Sequence, residues 1–314
     1  MRRLPGVSVL DGSGVVEPIV GSDPPVLRAA TVIEGASLRA VRVPDFSLEA
    51  KSGFGAFLDG TQKVQIVAHH RGMPIVIGTV SGAVRVRVDR RMTTWAHQRP
   101  IVARKIYLPL RYLPALAHLA ADAAQSSWQI VDTSTADKNG EYPSQHPAAL
   151  LERATRAVDQ EREQLEDRLA EAWCERGTSP IFIDGGISRS ASVASSPLAV
   201  GVIKSHRTLY VEDDALPIVL GLRKGERSSV FRVSPRSRNS VMSWYLRMRG
   251  GEGRDPLWGL VRVEVAERDR PSDRANEISR WIMAETTPLS LPDGRWDKLA
   301  YGVRDCEEFL RAIS

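Results

Sequence analysis

The chain has 314 residues and a formal net charge of +5, and 42% of its residues are hydrophobic, which suffices for a packed core and argues against general disorder. Its two cysteines are too few for a disulfide framework or a thiolate zinc site. No apolar run reaches the roughly 18 residues of a transmembrane helix, and the N-terminal apolar run is too short and broken for a signal peptide. We therefore expect a cytoplasmic protein that is not membrane-bound.

Apolar and β-branched runs dominate the first third of the chain. Residues 1–50 carry short apolar runs separated by Gly, Pro and Ser, and we predict an N-terminal extension of strands and loops that packs on a core domain at 51–314. Four β-rich runs follow, FGAFLDG, VQIVAHH, MPIVIGTV and AVRVRVD, separated by TQ, RG and SG. This spacing predicts four strands joined as antiparallel hairpins.

Helical and strand patterns alternate over the rest of the chain. A helix is predicted at about 113–125 (LPALAHLAADAAQ), and a polar loop follows at 133–147. A long charged helix is predicted from about Pro147 to Trp173, because apolar residues recur along one of its faces. After it come the strand PIFIDGG, a Ser-rich loop (ISRSASVASSP), the strand AVGVIK, three more strand-like runs and helices at about 271–285 and 297–313.

Two aspartates end apolar strands, and each is followed by glycine: Asp59 in FLDGT and Asp184 in FIDGG. A carboxylate at a strand end is held by the sheet yet faces solvent, while the glycine lets the backbone turn sharply. Two such aspartates on neighbouring strands can share a divalent ion, since hard ions such as magnesium or manganese prefer oxygen ligands. Asp-Gly alone is often a simple turn, so the metal-site hypothesis depends on the pair.

The elements between the two aspartates fit the first half of a ribonuclease H-like sheet, in which three antiparallel strands precede a helix and a fourth, parallel strand. Through FLDGT (57–61), the acidic helix before FIDGG (182–186) and GVIKSH (201–206), the chain resembles the NurA nucleases over roughly residues 50–314. The resemblance implies an α/β fold with a ribonuclease H-like mixed sheet flanked by helices, with additional β-rich segments. It also implies Mn²⁺- or Mg²⁺-dependent cleavage of DNA, a homodimer, and a HerA-like hexameric translocase ATPase as partner.

The resemblance also implies a set of site residues. Asp59 and Asp184 match the two strand-end aspartates of the family, which also carries a glutamate on the helix before the second one. Here that glutamate can be Glu161, Glu163 or Glu166. Spacing favours Glu163 or Glu166, whereas the apolar stripe of the helix places Glu161 nearest the buried face. The family's last helix carries a metal-proximal His or Asp, and its counterpart KLAYGVRDCEEFL lacks His, so Asp305 is the expected metal ligand.

Basic and aromatic residues add candidates for contact with nucleic acid. Lys204 ends the run AVGVIK, and a lysine beside a carboxylate site could hold the scissile phosphate. The alternative is a strand-end lysine that simply reaches solvent. Arginines interleaved with aromatic residues suit a single strand, with guanidinium groups on phosphates and rings on bases. The contacts predicted on this basis are Trp244, Tyr245, Arg247 and Arg249.

Two classes of function fit these patterns. The first is a divalent-metal-dependent nuclease that hydrolyses phosphodiester bonds in DNA end processing or defence. Its catalytic residues would be Asp59, Asp184, Glu163, Glu166 and Lys204, and its metal ligands Asp59, Asp184 and Asp305. The second is a catalytically silent nucleic-acid-binding or ring-capping subunit on the same scaffold, an alternative motivated by the missing histidine near Asp305.

Overall fold

The computed structural model describes residues 24–44, 51–89, 91–116, 128–137, 139–211, 213–234, 238–286, 298 and 300–314. These residues form a mixed α/β structure with a large mixed β-sheet and flanking helices. The chain divides into two compact units, each assembled from separate stretches of sequence. The first unit contains residues 24–57, Val86–Thr93 and Ala170–Asp305, and the second contains Leu58–Arg85, Thr94–Leu169 and Cys306–Ser314.

The strands and helices are numbered along the chain. The strands are β1 Val26–Leu27, β2 Thr31–Val32, β3 Ala40–Arg42, β4 Ala56–His70, β5 Met73–Val88, β6 Arg91–Thr94, β7 Ile101–Leu108, β8 Gln129–Asp132, β9 Ile181–Asp184, β10 Ala199–Ile203, β11 Thr208–Leu209, β12 Glu226–Ser228, β13 Phe231–Val233, β14 Val241–Arg247 and β15 Leu260–Val265. The helices are α1 Pro147–Arg176, α2 Ala191–Ser195, α3 Leu216–Leu220, α4 Pro271–Glu285 and α5 Tyr301–Ile313.

In the first unit, β2, β13, β14, β15, β10 and β9 lie side by side in that order. The arrangement is mixed, because β10 pairs parallel with β9 and antiparallel with β15. Every residue of β14 and β15 is buried, and α4 packs against β14. Trp244 on β14 donates from Nε1 to Ser279 Oγ on α4 at 3.0 Å, which satisfies the indole inside the core. The two strands therefore form the centre of this unit.

A buried ion pair fixes the N-terminal segment of the first unit. Arg227 on β12 is fully buried and donates to both carboxylate oxygens of Glu34, at 2.6 and 2.8 Å. Glu34 also accepts hydrogen bonds from Val230 N at 2.8 Å and from Ser272 Oγ at 2.6 Å. Burial raises the pKa of Glu34, but the hydrogen bonds from Arg227, Ser272 and Val230 outweigh it and hold the pKa below its usual value. Loss of either partner would leave a buried charge without compensation.

In the second unit, β4, β5, β7 and β8 lie side by side, with β5 antiparallel to β7 and β7 parallel to β8. Because β4 and β5 are long continuous strands, the predicted turns at TQ and SG are wrong. The turn at RG remains, with φ values of 49° at Arg71 and 82° at Gly72, as a two-residue hairpin turn requires. At Gly82 a Cβ would lie 2.9 Å from Leu169 Cδ1, so this glycine admits the packing of α1 instead of making a turn.

The long helix predicted from Pro147 is confirmed and ends at Arg176. Its buried stripe includes Leu150, Val158 and Leu165. The Ser-rich loop after β9 contains the short helix α2. Among the residues that the structure describes, no helix combines the length and the apolar character that a membrane crossing needs.

Two predicted elements fall partly outside the described residues. Residues 1–23 and 45–50 of the N-terminal extension lie outside them, whereas 24–44 contribute β1, β2 and β3 to the first unit. Of the helix predicted at about 113–125, residues 114–116 form a single 3-10 turn and 117–127 lie outside the described residues.

Candidate metal centre

In the second unit, the carboxyl groups of Asp59 and Glu307 approach each other. Asp59 lies on β4 and is 6% exposed, and its Oδ1 accepts a hydrogen bond from Gly60 N at 2.8 Å. Glu307 lies on α5 with a side chain that is 13% exposed, and the two residues offer carboxylate oxygens within 4.8 Å of each other. Carboxylates this close repel each other unless a proton or a cation lies nearby. An all-oxygen donor set of this kind suits a hard divalent cation.

The glycine that follows Asp59 makes room for Glu166 of α1. A Cβ at Gly60 would lie 2.6 Å from Glu166 Oε1 and 3.0 Å from its Cγ. Glu166 is 6% exposed, and its Oε1 accepts a hydrogen bond from Arg162 Nη1 at 2.5 Å. Of the three glutamates considered on this helix, Glu166 therefore lies against the residue that directly follows Asp59.

The other two glutamates of α1 have different surroundings. Glu161 accepts a hydrogen bond from Tyr107 Oη at 2.5 Å and forms an ion pair with Lys105. Burial, and then the hydrogen bond to Glu161, raise the pKa of Tyr107 well above its usual range. Glu161 thus joins α1 to β7. Glu163 is half-buried, and its catalytic role stays a prediction.

Arg162 brings a positive charge to this acidic region of the second unit. It donates to Glu166, to Asp159 Oδ1 at 2.8 Å and to Gln62 Oε1 at 3.0 Å. Burial acts to lower the pKa of Arg162, but attraction to Glu166 and Asp159 outweighs it, so the pKa is raised and the guanidinium stays charged. Arg162 therefore balances Glu166 and fixes its carboxylate next to Gly60.

In the first unit, Asp184 and Lys204 form an ion pair, which the sequence analysis did not predict. Lys204 Nζ donates to Asp184 Oδ2 at 2.8 Å, and the side chains are 25% and 20% exposed, so both reach solvent. The pairing of β9 with β10 sets Asp184 opposite Val202, and Lys204 follows two residues later at the same edge. Lys298 Nζ donates to Lys204 O at 3.0 Å, which holds the backbone of that segment.

His206 anchors the segment that follows β10. Its Nε2 lies 2.7 Å from Leu260 O, and because a carbonyl oxygen only accepts, Nε2 is assigned as the protonated nitrogen that donates this hydrogen bond. Burial, assisted by the charges of Lys298, Arg262 and Arg247, lowers the pKa of His206 to about 4 against the opposing effect of the Leu260 hydrogen bond. The imidazole is therefore neutral near pH 7 and serves as a hydrogen-bond donor to the backbone.

Three of the four predicted nucleic-acid contacts are buried, which corrects that prediction. Trp244 and Tyr245 are 0% exposed and Arg247 is 2% exposed. Tyr245 Oη accepts a hydrogen bond from Tyr210 N at 2.7 Å. Arg247 donates to four backbone carbonyls, those of Leu220, Leu222, Pro256 and Trp258. Because these polar groups are satisfied inside the fold, they cannot reach a nucleic acid without local unfolding.

Arg249, the fourth predicted contact, differs from these three. It is half-buried and its Nη2 donates to Thr286 O at 3.1 Å. Its contact with nucleic acid stays a prediction.

On the last helix, the acid that approaches Asp59 is Glu307, which the sequence analysis missed in favour of Asp305. The buried residues Val303, Cys306 and Leu310 define the inner face of α5. At about 100° per residue, Glu307 lies about 40° from Val303, at the border of this face, whereas Asp305 lies about 200° from Val303. The amphipathic pattern of the helix was therefore the signal that could have identified Glu307.

In the comparison with known proteins, no protein-family model and no curated protein matches the chain. The chemistry of the side chains around Asp59 and Asp184 is thus the basis for a functional conclusion.

Proposed function

We propose that the chain is a divalent-metal-dependent nuclease that hydrolyses phosphodiester bonds of DNA. In this proposal, Asp59 and Glu307 of the second unit bind a manganese or magnesium ion, and Asp184 keeps the role of metal ligand that its sequence motif predicts. The observation that carries it is the approach of two largely buried carboxylates, Asp59 and Glu307, to within 4.8 Å. The donor chemistry fits, since such ions take oxygen ligands and keep positions for water and for phosphate oxygens.

The residues around the proposed ion have distinct roles. When bound, the ion would supply Lewis-acid stabilisation of the phosphate and activation of water. Lys204 is 25% exposed beside Asp184, so its ammonium group can turn to hold a phosphate oxygen of the substrate. Arg162 keeps Glu166 against Gly60 and balances its charge, so this ion pair packs on the residue that follows Asp59.

Further parts of the proposal come from the resemblance to NurA nucleases. They are a ribonuclease H-like core, a homodimer, and a HerA-like hexameric ATPase as partner in DNA end processing or defence. Size-exclusion chromatography with light scattering, alone and with such an ATPase, tests the last two.

The test of the nuclease is metal-dependent DNA cleavage by carboxylate variants. Outer-shell residues of metal sites contribute about 10- to 100-fold in affinity or activity, so Asp59→Asn, Asp184→Asn and Glu307→Gln should each lower the manganese-dependent rate by about 100-fold or more. Asp305→Asn is the matched control, because it removes the same charge from the same helix on another face. Wild-type rates in folded Asp59→Asn and Glu307→Gln proteins would refute the proposal.

A silent nucleic-acid-binding subunit is the second candidate, and one observation favours it. Side-chain cations already neutralise two of the acids, Lys204 at Asp184 and Arg162 at Glu166. A silent subunit would bind DNA equally well with and without manganese and would cleave none. Loss of cleavage in the Asp59→Asn protein, from a wild type that cleaves, rejects this candidate.

A further inference from the structure

We propose that Glu264 is a positioning residue for Asp184, an inference that rests on the proposed metal site. Glu264 lies on β15 and is 2% exposed, so it cannot itself contact DNA. It supports the turn Gly185–Ile187, through which the backbone leaves Asp184. By fixing that turn, Glu264 sets the direction in which the Asp184 carboxylate points.

A row of residues across the sheet brings Glu264 to this turn. The pairing of β9, β10 and β15 sets Ile183 beside Gly201 and Gly201 beside Glu264. A Cβ on Gly201 would lie 2.7 Å from Gly185 O and 3.2 Å from Ile187 N, so the turn crosses directly over this glycine. Because Gly201 has no side chain, the Glu264 carboxylate reaches across β10 to the turn.

The carboxylate of Glu264 holds the turn by hydrogen bonding and by close packing. Its Oε2 accepts a hydrogen bond from Ile187 N at 2.9 Å, and a Cβ on Gly186 would lie 3.0 Å from the same oxygen. Gly185 has a φ of 142°, a conformation that side-chain-bearing residues rarely adopt. The backbone after Asp184 thus follows a path that depends on two glycines and one buried carboxylate.

Arg262 fixes the position of the Glu264 side chain. Its Nη1 donates to Glu264 Oε1 at 2.6 Å, it is 8% exposed, and its guanidinium carbon lies 4.8 Å from the centre of the Tyr210 ring. A buried ion pair is a weak source of stability, since desolvation offsets most of the attraction between the charges. Its presence at the turn after Asp184 is better explained by positioning, in the way that outer-shell carboxylates orient metal ligands.

The experiment compares Glu264→Gln with Glu34→Gln in the full chain. Both substitutions remove one charge from a buried Arg–Glu pair whose carboxylate also accepts a main-chain hydrogen bond. The donor is Ile187 N for Glu264 and Val230 N for Glu34. Glu264→Gln should weaken Mn²⁺ affinity of the folded protein about 10- to 100-fold and lower kcat at an unchanged KM for DNA. It should also speed amide hydrogen exchange at 185–187. Glu34→Gln should lower stability and leave Mn²⁺ affinity unchanged.

The outcomes separate this inference from the proposed function. Equal Mn²⁺ affinity in the wild type and in folded Glu264→Gln overturns the positioning role and leaves the metal site standing. A loss of Mn²⁺ affinity in Glu34→Gln equal to that in Glu264→Gln also overturns the positioning role, because the effect would then be general destabilisation. Absence of Mn²⁺ binding by the wild type, with Asp59→Asn as the blank, overturns the metal site and this role together. If Glu264→Gln does not fold, Arg262→Gln is used instead, and the same decrease in Mn²⁺ affinity and kcat is expected.

Discussion

A methyl group at residue 60 should disturb the acidic region of the second unit. In Gly60→Ala, the added Cβ would lie 2.6 Å from Glu166 Oε1, 3.0 Å from its Cγ and 3.2 Å from its Cδ. The glutamate cannot move aside freely, because its side chain is 7% exposed and Arg162 holds it at 2.5 Å. Overpacking of this kind lowers the free energy of unfolding by about 1–3 kcal/mol. The upper part of that range is expected if the Arg162 contact breaks.

Urea denaturation at pH 7 measures this change in the free energy of unfolding. The matched control is Gly250→Ala, since a Cβ at Gly250 meets nothing within 4 Å. Its expected change is within about 0.5 kcal/mol. Mn²⁺ titration of both variants should show weaker binding for Gly60→Ala alone, because Asp59 directly precedes the altered residue.

A double-mutant cycle identifies the cause of the lost stability. In a Glu166→Ala background the clash is absent, so Gly60→Ala should cost nothing or stabilise by about 0.4–1 kcal/mol through its effect on the unfolded chain. An equal cost of Gly60→Ala in both backgrounds would refute the packing of Glu166 on Gly60. So would an unchanged free energy of unfolding for Gly60→Ala in the wild-type chain.

Two further predictions concern buried basic groups. The pKa of His206 is about 4 when folded against 6.5 for an ordinary histidine, so the unfolded chain takes up the proton first and stability is lost as pH falls from about 6.5 to 4. His206→Gln should therefore lose less stability than the wild type between pH 7 and pH 5 in urea denaturation, and an equal loss would contradict the assignment. Arg247→Lys should lower the free energy of unfolding by at least about 2 kcal/mol, because lysine cannot reach four carbonyls. The salt dependence of its DNA affinity should stay unchanged, whereas a slope reduced by about one would show a phosphate contact.

Features set by local sequence were predictable. The apolar run before Asp184 forms β9, and Pro147 begins α1, because strand and helix periodicity are read directly from neighbouring residues. Features that depend on packing between residues far apart in the sequence could not be predicted. Gly82 was interpreted as a turn residue, yet it lies inside β5, where the side chain of Leu169, 87 residues later, leaves no room for a Cβ.

The candidate site shows the same division. The strand ends at Asp59 and Asp184 could be identified from short motifs. The burial of Arg247 could not, because its hydrogen-bond partners are carbonyls of loops and of the end of α3, whose positions the sequence does not reveal. Glu307 is an intermediate case: the helical pattern around it was present in the sequence, but the resemblance to the NurA nucleases implied a histidine or aspartate and so favoured Asp305.

The segmented composition of the two units has a consequence for protein synthesis. Leu58–Arg85 and Thr94–Leu169 of the second unit are made well before Cys306–Ser314, which belong to the same unit. There Ser314 Oγ lies 2.7 Å from Ser81 Oγ, and the Phe309 ring lies under Arg85, with 4.4 Å between the ring centre and the guanidinium carbon. During synthesis, therefore, neither unit can complete its fold until its last segment has been translated. Apolar strands made earlier stay without part of their packing partners until then. A contiguous fragment that ends before Cys306 would for the same reason lack part of the second unit.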